Sequence, residues 1–150
     1  MHKILILALI LSLFAGHPID LIASETEEAT YSNDEVNCLA AAIYHEARGE
    51  SLTGKKAVGH VVLNRMNHSK FPDSICGVVT QRTNRVCQFS WICTKHTTKL
   101  TTELHNLAFK LLDGKTKDPT NGALFFHTTT MENPFKRKKT AVIGNHVFYK

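Results

Sequence analysis

Two runs of apolar residues at three- and four-residue intervals lie on either side of one glycine, and they commit the chain to packing helices first. Val36, Leu39, Ala40, Ile43 and Ala47 recur at the spacing of an amphipathic helix. Ser32 and Glu35 precede it at capping-box spacing, and Gly49 falls just past its end. A second helical pattern runs through Ala57, Val58, Val61, Val62, Arg65 and Met66 until "HSKFPDS" breaks it at Pro72. Leu100, Leu104, Leu107, Ala108 and Leu111 mark a third. Turn chemistry in "DPTNG" precedes a predicted strand, "ALFFH". The later "AVIGNHVFY" is expected to pair with it, its Gly-Asn marking a bend or bulge. Residues 81–96, of mixed polarity, read as a loop-rich region. The expected class is α+β, mainly helical with a short antiparallel β-sheet.

A length of 150 residues suits one domain, and 43% hydrophobic with 21% charged residues can build a core. Residues 1–24 read as a signal peptide or N-terminal anchor. Lys3 supplies positive charge, and "ILILALILSLFA" is almost unbroken apolar sequence. Twelve helical residues span about 18 Å, well short of a hydrocarbon core about 30 Å thick. An export signal is therefore the better reading, with membrane attachment only through an uncleaved leader. Residues 25–35 look like a linker, and residues 36–150 form the expected domain.

Loss of Lys3 and Asp20 with the leader leaves the formal charge at +5. A basic exported protein suits an anionic polymer of the cell envelope. Nucleic acid is disfavoured as a partner, because no basic run is interleaved with aromatics and "KRKK" alone is unspecific. No feature of the sequence points to an oligomeric state. Cys38, Cys76, Cys87 and Cys93 make an even set that can form disulfides after export, with three pairings open. Zinc is the rival use of these thiols, but no C-x-x-C spacing supports it.

Glu46 is the first candidate for chemistry. On a helical wheel it lies about 20° from Leu39, at the edge of the apolar stripe. Partial desolvation there raises a carboxyl pKa, the property a general acid needs near neutral pH. An ion pair with Arg48 or Arg65 would pull the other way. Glu50 falls in the same sector but beyond Gly49, where it can hold the turn or cap the next helix. His45 points away, towards the surface. "HEARG" lacks the second histidine of H-E-x-x-H, since position 49 is Gly. No G-x-S-x-G elbow or P-loop is present.

Five blocks carry a resemblance. "CLAAAIYHEARGESLTGKKAVGHVVLNRM", "FPDSICGVV", "CQFSWIC", "TNGALFFH" and "IGNHVFY" occur in one order. The chain resembles the cell-wall hydrolases of SleB type, the spore cortex-lytic enzyme family (hydrolase type 2), over nearly the whole expected domain. The resemblance implies a small lysozyme-like α+β domain that cleaves peptidoglycan glycan strands. It implies that Glu46 is the catalytic acid and that neither cofactor nor metal is required. Gln88, Trp91, His127, Asn145 and His146 then become candidate substrate-binding residues. Glu46 alone among the carboxylates is well placed, which favours a lytic transglycosylase route over a two-carboxylate muramidase. A non-catalytic peptidoglycan-binding module and a metal-dependent peptidase or amidase are the alternatives.

Overall fold

A computed structural model describes residues 31–94, 96, 98–132 and 136–150. The expected leader, residues 1–24, lies outside the described residues, as does most of the linker. Among the described residues no helix is long and apolar enough to cross a membrane.

The elements follow in the order α1 (Asn33–Ala47), α2 (Leu52–Met66), α3 (Ile75–Thr80), β1 (Arg82–Thr83), β2 (Val86–Cys87), α4 (Ser90–Thr94), α5 (Thr102–Leu112), β3 (Phe125–Thr128), β4 (Lys139–Ile143) and β5 (His146–Tyr149). Ser32, Ser51, Ser74 and Thr101 cap α1, α2, α3 and α5. Each hydroxyl accepts from the backbone N–H three residues on. Only half of the predicted capping box forms at α1. The Glu35 N–H donates to Ser32 Oγ at 3.3 Å, but the Glu35 carboxylate turns away. It accepts instead from the N–H groups of Ile75 (2.8 Å) and Cys76 (3.4 Å), tying the start of α1 to the start of α3. Gly49 does follow the end of α1, yet its φ is not positive and a Cβ there would meet nothing.

The predicted apolar face of α1 is the centre of the core. Leu39, Ala40 and Ile43 are fully buried against Ile75, Val78 and Val79 of α3 and Leu107, Ala108 and Leu111 of α5. Burial of a Leu or Ile of this kind stabilises a fold by about 1.5–3 kcal/mol. Helix α2 crosses α5 closely at Gly59, where a Cβ would sit 2.6 Å from Leu111 Cδ1. The other side of α2 carries Ala57 and Val61 onto the sheet, against Ala123 and Phe148.

That sheet is antiparallel in the order β3-β5-β4. The Gly-Asn pair is not a bulge within one strand. It is the two-residue turn of a β4–β5 hairpin, with Gly144 at φ +56. Residues 81–96 are also more ordered than expected: they hold the β1–β2 hairpin and α4. Disulfides join Cys38 to Cys76 and Cys87 to Cys93. The first links α1 to the start of α3, and the second ties β2 to α4.

Candidate active site

Glu46 stands in the last turn of α1, half-buried, where two cavities meet. The larger encloses about 520 Å³ and continues past Arg65, Gln88, Phe89, Ser90, Phe125, Phe126 and Met131. The smaller, about 360 Å³, is bounded by His45, Arg48, Ser90, Trp91 and His96. Glu46 and Ser90 line both, so a ligand in either cavity lies against the same carboxyl-bearing residue. Among the described residues lining either cavity, Glu46 is the only carboxylate.

The electrostatics follow from that placement. Burial raises the Glu46 pKa above the ordinary carboxylate range, while Trp91 and then the charge of Arg65 act in the opposite direction. The Trp91 indole N–H is buried and favours the carboxylate from a position that falls short of hydrogen-bond geometry. Arg65 is 3% exposed, and desolvation lowers its pKa to about 10, partly offset by Glu46. It therefore stays a cation at neutral pH. Its Nε donates to the Leu124 carbonyl at 2.7 Å, and the guanidinium lies 5.4–5.7 Å from the rings of Phe71, Phe89 and Phe125. Its Nη1 is buried without a hydrogen-bond partner.

The structure gathers some of the sequence-derived candidates around Glu46 and disperses others. Gln88 and Trp91 stand with it on the cavity walls. His127 does not. It is buried on β3, its Nε2 bonded to the Tyr149 hydroxyl (2.8 Å) and its Nδ1 to the Thr128 carbonyl (2.7 Å). Asn145 holds Glu50, whose carboxylate accepts from the Asn145 backbone N–H and its Nδ2. His146 Nδ1 lies 3.9 Å from Glu50, but burial lowers the His146 pKa, so the ring is neutral at pH 7 and the contact is no ion pair. His146 reaches the larger cavity only through its edge-on contact with Phe126. Among the described residues no three His, Cys, Asp or Glu side chains converge as a metal site would require.

Two further residues join the site, His45, which the helical wheel turns towards the surface, and Arg65, expected only as an ion-pair partner of Glu46. His45 is not a free surface side chain: it stacks on Trp91 with centroids 4.2 Å apart, and its Nε2 bonds Thr98 Oγ1 at 2.7 Å. Helix α4, distant in sequence, covers a face that α1 alone would leave open. Arg65 had a visible signal, a charge among the apolar positions of α2.

Comparison with known proteins agrees with this architecture. A family model described as Cell Wall Hydrolase matches residues 49–149. The spore cortex-lytic enzyme of Halalkalibacterium halodurans is 32% identical over 124 residues, covering 80% of this chain and 36% of that protein. Its Bacillus subtilis counterpart is 47% identical over 49 residues, 33% of this chain and 16% of the relative. The chain thus spans well under half the length of these curated relatives. Among solved structures, the catalytic domain of the Bacillus cereus SleB protein superposes with a TM-score of 0.68 at 27% identity, covering 80% of this chain and 92% of that one. The catalytic domain of the germination-specific lytic transglycosylase SleB from Bacillus anthracis gives 0.69 at 27% identity, covering 81% and 98%.

Proposed function

The chain belongs to the cell wall hydrolase family, and on that premise we propose that it cleaves the glycan strands of peptidoglycan outside the cytoplasm, with Glu46 as acid and then as base. One observation carries the reading: a half-buried carboxyl with a raised pKa stands where two cavities meet, and no second carboxylate lines them among the described residues. The family match begins three residues after Glu46, so support for its role comes from this geometry together with the resemblance of the block that contains it.

In the proposed reaction, protonated Glu46 gives its proton to the glycosidic oxygen, and the bond from that oxygen to the sugar C1 breaks. Charge develops on the ring as Glu46 becomes a carboxylate, which the buried Arg65 cation stabilises. The sugar's own 6-hydroxyl then attacks C1 and passes its proton to Glu46. An anhydro ring closes, Glu46 is restored to its acid form, and no water is consumed. Glu50 does not suit the part of a second carboxylate, because Asn145 occupies both of its oxygens. Gln88 is suited to bonding sugar hydroxyls or acetamido groups, and Trp91 backs the smaller cavity with apolar surface.

Comparison of wild type with Glu46→Gln tests the reading. An enzyme of this kind loses lysis of purified cell walls while keeping its binding to them. Undiminished lysis by the variant would remove Glu46 from the reaction, and a pure binding module would show no lysis at all.

A further inference from the structure

A third cavity, of about 480 Å³, adjoins the larger Glu46 cavity at Phe125, which lines both. Consecutive residues of α2 divide the two spaces: Arg65 faces the first and Asn64 the second. The walls of the third cavity are basic. Lys70, Arg137, Lys150 and His68 surround it, and Asn64 and Asn67 complete its polar lining. Its floor is apolar, from Phe71, Phe125 and Leu124.

These cations are not neutralised by the fold. Among the described residues none of Lys70, Arg137 and Lys150 has an acidic partner within 4 Å, although ion pairs form elsewhere, as between Lys55 and Glu103. The Arg137 guanidinium rests 3.8 Å from the centre of the Phe125 ring, which fixes it over the wall shared with the Glu46 cavity. The nearest bonded acid, Asp118, is already engaged. Its carboxylate accepts from Thr120 N–H and Oγ, the Gly122 N–H and Asn64 Nδ2. No carboxylate side chain lines the cavity itself among the described residues. An apolar floor beneath several uncompensated cations is the chemistry of a site for a short carboxylate-bearing chain.

We propose that this cavity is a subsite for the stem peptide of peptidoglycan, its cations receiving the peptide's free carboxylates. The proposal rests on the reading of glycan strands as the substrate. A strand lying along the Glu46 cavities projects a peptide from each muramic acid, and a pocket that adjoins the larger one at Phe125 takes the first residues of such a branch. The peptide then fixes the register of the strand against Glu46, so the subsite acts on substrate choice.

The test uses glycan strands bearing peptides with free carboxylates, and the same strands stripped of peptides by an amidase. Wild type opens the peptide-bearing strands with a kcat/KM about tenfold higher at low salt, an advantage that salt screening removes. Lys70→Ala combined with Arg137→Ala erases that advantage and leaves turnover of stripped strands unchanged, with an unaltered melting temperature as the check on folding. A second readout needs no turnover. A soluble L-alanyl-D-isoglutamate dipeptide, titrated against the protein by NMR, perturbs residues of this cavity and ceases to do so in the double variant. Equal rates of wild type on both kinds of strand overturn the subsite while leaving the reaction intact. If neither kind is opened, the proposed reaction falls and the dipeptide titration alone decides the subsite: absence of binding overturns it. A rate advantage that follows phosphate-bearing wall polymer instead of peptide also overturns it.

Discussion

Glu50 accepts two hydrogen bonds from Asn145, from the backbone N–H at 3.3 Å and from Nδ2 at 3.0 Å, across 95 residues of sequence. The two contacts clamp the β4–β5 turn against the start of α2. A Cβ at Gly144 would come within 1.9 Å of Glu50 Oε2, so the turn and the carboxylate fit only with glycine there. Glu50 is thus a structural partner, four residues from the acid that the proposed chemistry requires.

Exchange of the two glutamates separates those roles. Glu50→Gln leaves cell-wall lysis within about tenfold of wild type and lowers stability by about 1 kcal/mol, because an amide serves two donors less well than a carboxylate. Glu46→Gln lowers the rate by about 10³-fold, within the range for loss of a positioned acid–base group. Parallel lysis assays and denaturant melts check both, and equal loss of activity in the two variants would contradict the assignment.

The raised Glu46 pKa makes a prediction about pH. Activity requires the protonated acid, so it falls as pH rises through the folded-state pKa. Stability has the same sign. Between the unfolded and the raised folded pKa, the native state holds a proton that the unfolded chain has released, so stability declines as pH rises across that window. Glu46→Gln lacks this dependence. Its melting temperature exceeds that of wild type near neutral pH, and the gap narrows as pH falls through that window and closes below about pH 4, where the carboxyl is neutral in both states.

Removal of the buried cation tests the Arg65 contribution. Arg65 lowers the Glu46 pKa, so Arg65→Met raises it and moves the alkaline limb of the activity profile to higher pH. The substitution also leaves the Leu124 carbonyl without its donor and costs about 3 kcal/mol of stability. A pH–rate profile that does not move would show that the two charges are uncoupled.

The two disulfides divide stability from activity. Cys38–Cys76 closes a loop of 38 residues and Cys87–Cys93 one of six. In the chain-entropy account their losses cost about 4 and about 2 kcal/mol. The shorter bridge holds β2 to the helix that presents Trp91 beside Glu46. Serine replacement of Cys87 and Cys93 therefore lowers wall lysis more than replacement of Cys38 and Cys76, measured below the melting temperature of either variant.

Much of this arrangement was legible in the chain because it depends on local periodicity. The apolar positions of α1, α2 and α5 repeat often enough to show the helices and the face each one buries. Glu46 stood out as a carboxylate at the edge of such a face. What stayed hidden depends on contacts remote in sequence or on unusual backbone. Helix α3 has only six residues, too few to establish a period. The β1–β2 turn places Asn84 and Arg85 at φ +51 and +68 with no glycine to announce it. His45 faces away from α1's own stripe and joins the site only because Trp91 arrives on α4 to cover it. His127 and His146 are ordinary strand residues in sequence, and which way they serve is decided by Tyr149 and Glu50.

The central claim is that one side chain, Glu46, breaks the glycan and closes it upon itself. Mass spectrometry of peptidoglycan digested in water enriched with heavy oxygen tests this most directly. The account predicts anhydromuramic ends free of the label, formed by wild type and absent with Glu46→Gln. Reducing ends carrying heavy oxygen at C1 would show that water is the nucleophile and would contradict it.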